Sequence, residues 1–148
     1  MLNGALHDFT GNNKKRLGLV STDIPLISNL DVWVNIALIR QYHHNLKEDE
    51  ARQMVLQYLQ RYDMAHIANK RNSALTHEER FCVMLLRAVM VADAVVVIDR
   101  PFQMMPDLKD ARFIYDALKK VNDSYRESHI FDYTWNAHRY RVDNAEKS

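Results

Sequence analysis

The apolar residues of the chain recur with two different spacings, which predict helices and strands in alternation. Residues 51–62 carry apolar side chains at intervals of three and four, so these side chains share one face of a helix. Residues 30–42 are apolar on most sides, as expected of a well-buried helix. The continuous β-branched run at 94–98 is typical of a strand in a parallel sheet that is covered on both faces.

Local signals place the remaining elements. Thr76 and Glu79 have the spacing of a capping box, which predicts that a third helix begins at Thr76. Residues 101–106 are expected to form a loop, and Asp107 to cap a fourth helix. The order of the elements predicts an α/β fold with a helical insertion. Two short strands complete the prediction, at residues 17–21 and 129–134.

Composition predicts one globular domain over residues 1–148. The chain is 47% hydrophobic and 26% charged, which is ordinary for a globular protein and unlike a disordered one. The net charge of +1 gives no support to general attraction for nucleic acid or anionic membranes. We expect four parts: an irregular lead-in at 1–16, a helical subdomain at 23–75, a core segment at 76–135 and a tail at 136–148.

The use of cysteine predicts a cytoplasmic protein. Cys82 is the single cysteine, so the chain has no internal disulfide, as in a reducing compartment. No basic and then apolar leader follows Met1. The most apolar stretch, 83–98, is interrupted by Arg87 and Asp93 and is shorter than the roughly 20 residues that span a bilayer. We therefore expect neither secretion nor a membrane span.

The spacing of two short motifs along the sequence is informative. Leu-Thr-His-Glu-Glu at 75–79 opens a predicted helix, and Asp-Arg-Pro-Phe at 99–102 ends the buried strand that follows. In this spacing the chain resembles the ATP-binding domain of ABC transporters, where Leu-Ser-Gly-Gly-Gln/Glu opens a helix and Asp-Glu-Pro ends the next strand. Residues 25–38 resemble the stretch after the family's glutamine loop, and the resemblance extends over residues 17–135. The Asp-Arg-Pro-Phe segment is also similar to the Asp-Glu-Pro-Phe of lipid-trafficking members associated with Mce-type substrate-binding proteins.

The resemblance implies a helix-rich α/β fold, with a partial P-loop-NTPase-like sheet and a helical subdomain. Residues 76–135 would be the remnant of the nucleotide-binding core. The 148 residues contain no G-x-x-x-x-G-K-[ST] motif, so the phosphate-loop portion is missing. In the resembled fold the strand ending at Asp99 lies beside the strand that leads into the phosphate loop. We therefore expect its open edge to be covered by the N-terminal residues, a second copy of the chain or a partner.

The resemblance also assigns vestigial cofactor-binding positions. Asp99 stands where the family's Asp supports magnesium, Thr76 where its Ser faces a phosphate, and Thr22 where its Gln helps to hold magnesium and water. Arg100 replaces the catalytic Glu, and a guanidinium cannot accept a proton from water at neutral pH. We therefore predict no catalytic residue and no cofactor. ATP and magnesium would bind only if another segment supplied a phosphate loop.

Other substitutions agree with this loss. His77 and Glu78 stand where the family has glycines, so they add side chains, one of them negative, where backbone and phosphate approach each other. The family's histidine after the last strand aligns with Trp135, or with His129 in a shorter alignment. The adjacent His43 and His44 would diverge on a helix, and we predict no metal site.

The resulting hypothesis is a non-catalytic domain that serves as a partner-binding or regulatory subunit of a transporter-type complex. We expect it to lie in the cytoplasm, held to the inner face of a membrane by a permease or ATPase subunit; homodimerisation is left open. The stretch where the family's permease docks supplies the candidate partner-binding residues: Asp23, Pro25, Leu26, Asn29 and Trp33.

Two alternatives stay open. In the first, Met1 is not the native start, or another chain supplies the phosphate loop, and the domain belongs to an ATP-binding transporter subunit. In the second, the aromatic and cationic residues of 133–141 make a small nucleic-acid-binding module.

Overall fold

The computed structural model describes residues 16–142, which form three strands and five α-helices. Short 3₁₀ turns lie at Ala65–Ile67, Asn72–Ala74 and Thr134–Tyr140. The strands are β1 (Leu17–Val20), β2 (Val95–Asp99) and β3 (Glu127–Phe131). The helices are α1 (Val32–His44), α2 (Glu48–Gln60), α3 (His77–Val89), α4 (Pro101–Met104) and α5 (Arg112–Lys119). The predicted α/β class is confirmed, whereas the predicted lead-in at 1–16 lies almost wholly outside the described residues.

The three strands form one parallel sheet in the order β1-β2-β3. All five residues of β2 are buried, as its continuous apolar sequence predicts. Leu17 pairs with Val95 on one side of β2, and Phe131 pairs with Asp99 on the other. The expectation that one edge of the Asp99 strand lacks a neighbouring strand in this chain is therefore wrong, because β3 pairs with that edge. The last strand also starts two residues earlier than predicted and ends at Phe131, where its pairing with β2 ends.

The helical predictions hold for α1, α2 and α3, with boundaries shifted by two or three residues at most. The capping box is confirmed. The Oγ1 of Thr76 accepts a hydrogen bond from the backbone N–H of Glu79 at 3.1 Å, and Oε1 of Glu79 accepts one from the N–H of Thr76 at 2.9 Å. These two bonds satisfy donors that the first turn of a helix would otherwise leave unpaired.

The segment after β2 differs from the prediction. The expected loop at 101–106 contains the short helix α4, because Pro101 stands at a first helical position and its fixed φ suits a helix start. Asp107 does not cap the next helix, which begins only at Arg112. Asp110 accepts a hydrogen bond from the backbone N–H of Arg112 at 3.0 Å instead.

The hydrophobic core is built from side chains of β1, β2 and the helices α1, α2, α3 and α5. Helix α3 packs directly on β1, and the contact is close at Gly18, where an added Cβ would overlap the carbonyl of Ala88. Phe81, Leu85 and Ile36 are among the core's largest fully buried side chains. None of the helices within residues 16–142 has the length and the apolar sequence that a bilayer span requires.

Candidate functional site

A polar cluster lies at the carboxyl edge of the sheet, where ligands commonly bind to α/β proteins. Asp99 is the last residue of β2, and Ser21 directly follows β1. Tyr133 lies two residues beyond the end of β3. The parallel register brings these three strand ends together, so their side chains meet across the end of β2.

The carboxylate of Asp99 is buried and fully engaged. Its side chain is 3% exposed. Oδ2 accepts hydrogen bonds from Oγ of Ser21 and from Nη2 of Arg100, both at 3.1 Å, and Oδ1 accepts one from Nε of Arg100 at 3.0 Å. A buried carboxylate needs such partners because burial without them costs several kcal/mol, on the order of 3–5 when a partner is removed. The neighbouring arginine thus supplies the positive charge that balances Asp99.

The guanidinium of Arg100 joins three segments of the chain. Besides Asp99, it donates to Oη of Tyr133 and to Oδ2 of Asp23, each at 3.2 Å. The backbone of Arg100 is left-handed, with φ 49°, which turns the chain from β2 into α4. The hydrogen bonds to Asp99 and then Tyr133 raise the pKa of Arg100 above its ordinary value. This side chain is therefore cationic throughout the physiological range and cannot act as a general base.

Neither candidate for the family's histidine places an imidazole beside Asp99. His129 lies within β3, where it pairs with Val97. Trp135 lies in the turn after β3, and its ring is stacked on that of Tyr133 with centroids 4.2 Å apart. The indole is 68% exposed, and it has no group that accepts a proton.

The other two vestigial positions lie apart from the Asp99 carboxylate. Thr22 is exposed in the turn after β1, and the hydroxyl that reaches Asp99 belongs to its neighbour Ser21. Thr76 is occupied as the cap of α3 and lines a separate polar depression of about 320 Å³ with Glu78 and Arg80. Of the three predicted cofactor positions, only Asp99 is thus part of the cluster.

The candidate partner-binding residues divide between surface and core. Asp23, Pro25 and Asn29 are exposed. Leu26 and Trp33 are 4% and 6% exposed, so their side chains belong to the core and offer little to a partner. The guanidinium of Arg52 covers the Trp33 ring at 4.8 Å from its centroid.

An apolar groove of about 620 Å³ lies next to this stretch, between β1, α1, α3 and the loop after β1. Ile24, Ile27 and Leu38 line it and are each 43% exposed, and Tyr42 at its end is 82% exposed. Clustered exposed apolar side chains of this kind are typical of interaction sites. Sequence reasoning missed the groove because its walls come from two separate segments of the chain, within residues 17–43 and 87–91. We refer to it as the apolar groove, and its other lining residues are Leu17, Gly18, Leu19, Asn35, Ile39, His43, Arg87, Ala88 and Val91.

The chain is similar to ATP-binding proteins of import and lipoprotein-release systems. A phosphonates import ATP-binding protein (PhnC) of Agrobacterium fabrum is 29% identical over 105 residues, which cover 66% of this chain and 36% of that protein. A lipoprotein-releasing system ATP-binding protein (LolD) of Pseudoalteromonas translucida is 29% identical over 114 residues, covering 65% of this chain and 49% of that protein. The chain thus spans less than half the length of these relatives. No family model matches it.

Solved structures give the same picture for the fold. A dimeric ATP-binding cassette, MJ0796 bound to ADP and Pi, superposes with a TM-score of 0.65 and 22% sequence identity, over 88% of this chain and 57% of that chain. A second dimeric structure of that cassette gives 0.63 and 20%, over 90% and 60%. The resemblance drawn from residues 75–79 and 99–102 is confirmed by the curated relatives, and the α/β cassette fold by these structures.

Proposed function

We propose that this relative of the ABC transporter ATP-binding proteins is a non-catalytic, partner-binding subunit of a transporter-type complex. It would hold or regulate a permease or an ATPase subunit without hydrolysing ATP. Its place would be the cytoplasm, at a membrane face reached through the partner. The relatives named above are ATP-binding proteins of import and lipoprotein-release systems, which supports the transport setting.

The observation that carries the proposal is the pairing of Arg100 with Asp99. A base that activates water must accept a proton, and the side chain at this place is a cation held by three hydrogen-bonding partners. The same cation neutralises the carboxylate that would otherwise attract a metal ion. We therefore propose that the chain uses no ATP or magnesium of its own.

The apolar groove is the surface that we assign to the partner. Its apolar walls and the exposed positions of Ile24, Leu38 and Tyr42 suit an apolar helix or segment presented by another protein. Asp23 and Pro25 flank it and keep the role predicted for them. Leu26 and Trp33 are buried and do not line the groove, so the proposal gives them no contact with the partner.

Calorimetry of the whole chain with Mg-ATP tests the missing chemistry. We expect no heat of binding at millimolar nucleotide, for the wild type and equally for an Asp99→Asn variant. Micromolar binding that is lost in Asp99→Asn would overturn the proposal and favour the alternative in which the chain is part of a working nucleotide site.

Co-purification with a detergent-solubilised membrane fraction of the source cell tests the partner surface. A Leu38→Asp variant puts a charge in the apolar groove and should lose a membrane protein that the wild type retains. Gln57→Asp is the control, because it adds the same charge at an exposed helical position that does not line the groove. Equal retention by Leu38→Asp and the wild type would contradict this assignment.

A further inference from the structure

The loop after β1, residues 21–30, forms one wall of the apolar groove and is held by polar side chains from outside it. We call it the groove loop. Arg87 of α3 donates hydrogen bonds to the carbonyl oxygens of Ile24 and Pro25, at 2.9 Å for Pro25. Ile24 lines the groove, so Arg87 fixes the backbone of a residue that a partner would contact.

Asn35 of α1 holds the second half of the same loop. Its side chain is buried, accepts a hydrogen bond from the N–H of Ile27 at 2.8 Å, and donates to the carbonyls of Ile27 and Leu30 at 3.1 and 3.2 Å. These bonds replace the backbone pairing that an irregular loop lacks.

Arg100 reaches the start of the groove loop through an ion pair. Its Nη2 lies 3.2 Å from Oδ2 of Asp23, whose N–H in turn donates to Oγ of Ser21 at 3.1 Å. Ser21 donates to Asp99, which also binds Arg100. The loop, the end of β2 and Tyr133 after β3 are thereby joined in one network.

We propose that Arg100 is a positioning residue: with Arg87, it holds the groove loop in place, so that the docking groove is already formed in the free protein. This inference rests on the proposed function for its meaning, since the groove is the surface assigned to a partner. A preformed surface does not have to be ordered on binding, which lowers the cost of association. A carboxylate at position 100 would face Asp23 and Asp99 with like charge and would release the loop instead.

Hydrogen exchange of the whole chain tests the Arg100–Asp23 ion pair through substitutions of the exposed Asp23. Asp23→Asn removes the charge without unpairing buried Asp99, so the fold should survive. We expect amide exchange in residues 22–28 to become about two- to fivefold faster, as loss of an exposed ion pair implies. Asp23→Lys should accelerate it further, because it repels Arg100, whereas Asp23→Glu keeps the charge and should stay close to the wild type.

Asp123→Asn is the matched control, since it breaks an exposed ion pair with Arg61 that lies outside the groove loop. It should leave exchange in 22–28 unchanged. A second variant, Arg87→Met, should accelerate exchange in the same residues. Exchange in 22–28 that is unaltered in Asp23→Asn and Asp23→Lys would overturn the proposal, as would acceleration spread equally over α2. ATP hydrolysis by the wild type would defeat the proposed function but would leave this exchange pattern intact.

Discussion

At the scale of single residues, Asp99 and Arg100 form an ion pair with unequal burial: the carboxylate is 3% exposed and the guanidinium 17%. Removing the arginine would leave a buried charge unpaired, which is far more costly than losing a surface pair. The pair therefore contributes to the stability of the fold, and it is also the feature on which the proposed absence of ATP hydrolysis rests. Substitution of Asp23, whose side chain is exposed, avoids this cost.

Buried acids predict how stability depends on pH. Burial raises the pKa of the Cys82 thiol from 9.0 to about 12, and burial likewise raises the pKa of Tyr62 and Tyr140 above the ordinary 10.0. A group whose pKa is raised on folding stabilises the native state below its unfolded pKa, and this contribution is lost as pH rises toward the folded value. Urea unfolding should therefore give a free energy that falls as pH is raised from about 9 to 11.

A Cys82→Ala variant separates the contribution of the thiol. It loses some packing at every pH, but its stability should fall less steeply than that of the wild type between pH 9 and 10. A free energy of unfolding that is constant or increases from pH 9 to 11 would contradict the assignment of these groups to the core.

The sequence predicts only part of the residue-level site. The sequence identifies Asp99 and Arg100 as site residues because an apolar run ends there and the two residues can be compared with a family motif. The sequence does not reveal the contacts of Ser21 and Tyr133 or the ion pair of Asp23, because they depend on the register of three strands. Ser21 and Asp99 are 78 residues apart in the chain, and Arg100 and Tyr133 are 33 residues apart. The prediction of Leu26 and Trp33 as partner-binding residues does not account for their burial, because position in the chain does not tell which side of a loop or helix faces the core.

At the scale of elements, the packing of α3 on β1 is set by a glycine. A Gly18→Ala variant would place its Cβ on the carbonyl of Ala88, and this backbone atom cannot rotate away. We expect the variant to lose about 1–3 kcal/mol of stability, as overpacked cores do. Thermal unfolding measures the loss. A melting temperature within a degree of the wild type would contradict the close contact of β1 with α3 at Gly18.

The apolar pattern of the sequence predicts the long helices α1, α2 and α3, but it does not predict the short elements. The capping box marks the start of α3 directly. Helix α4 has only four residues, and its start depends on the left-handed turn at Arg100, which no hydrophobic pattern reveals. Asp107 has the chemistry of a cap, but the chain continues irregularly to Arg112 before α5 begins.

At the scale of the whole molecule, the arrangement is an α/β cassette core whose sheet carries a closed polar cluster at one edge and an apolar groove beside it. The α/β class and the helical insertion follow from the order of elements in the sequence. The pairing of β2 with a strand on each side does not follow from the sequence, because strand order in a parallel sheet is set by connections that the hydrophobic pattern leaves undetermined. The proposed binding function rests on these two features, the hydrogen-bonded polar cluster and the exposed apolar groove.

Release of phosphate from Mg-ATP by the purified full chain tests the central claim most directly. We predict no release above that of a protein-free control, for the wild type and for an Asp99→Asn variant alike, because Arg100 accepts no proton and its charge already balances Asp99. Steady release by the wild type that disappears in Asp99→Asn would contradict the account.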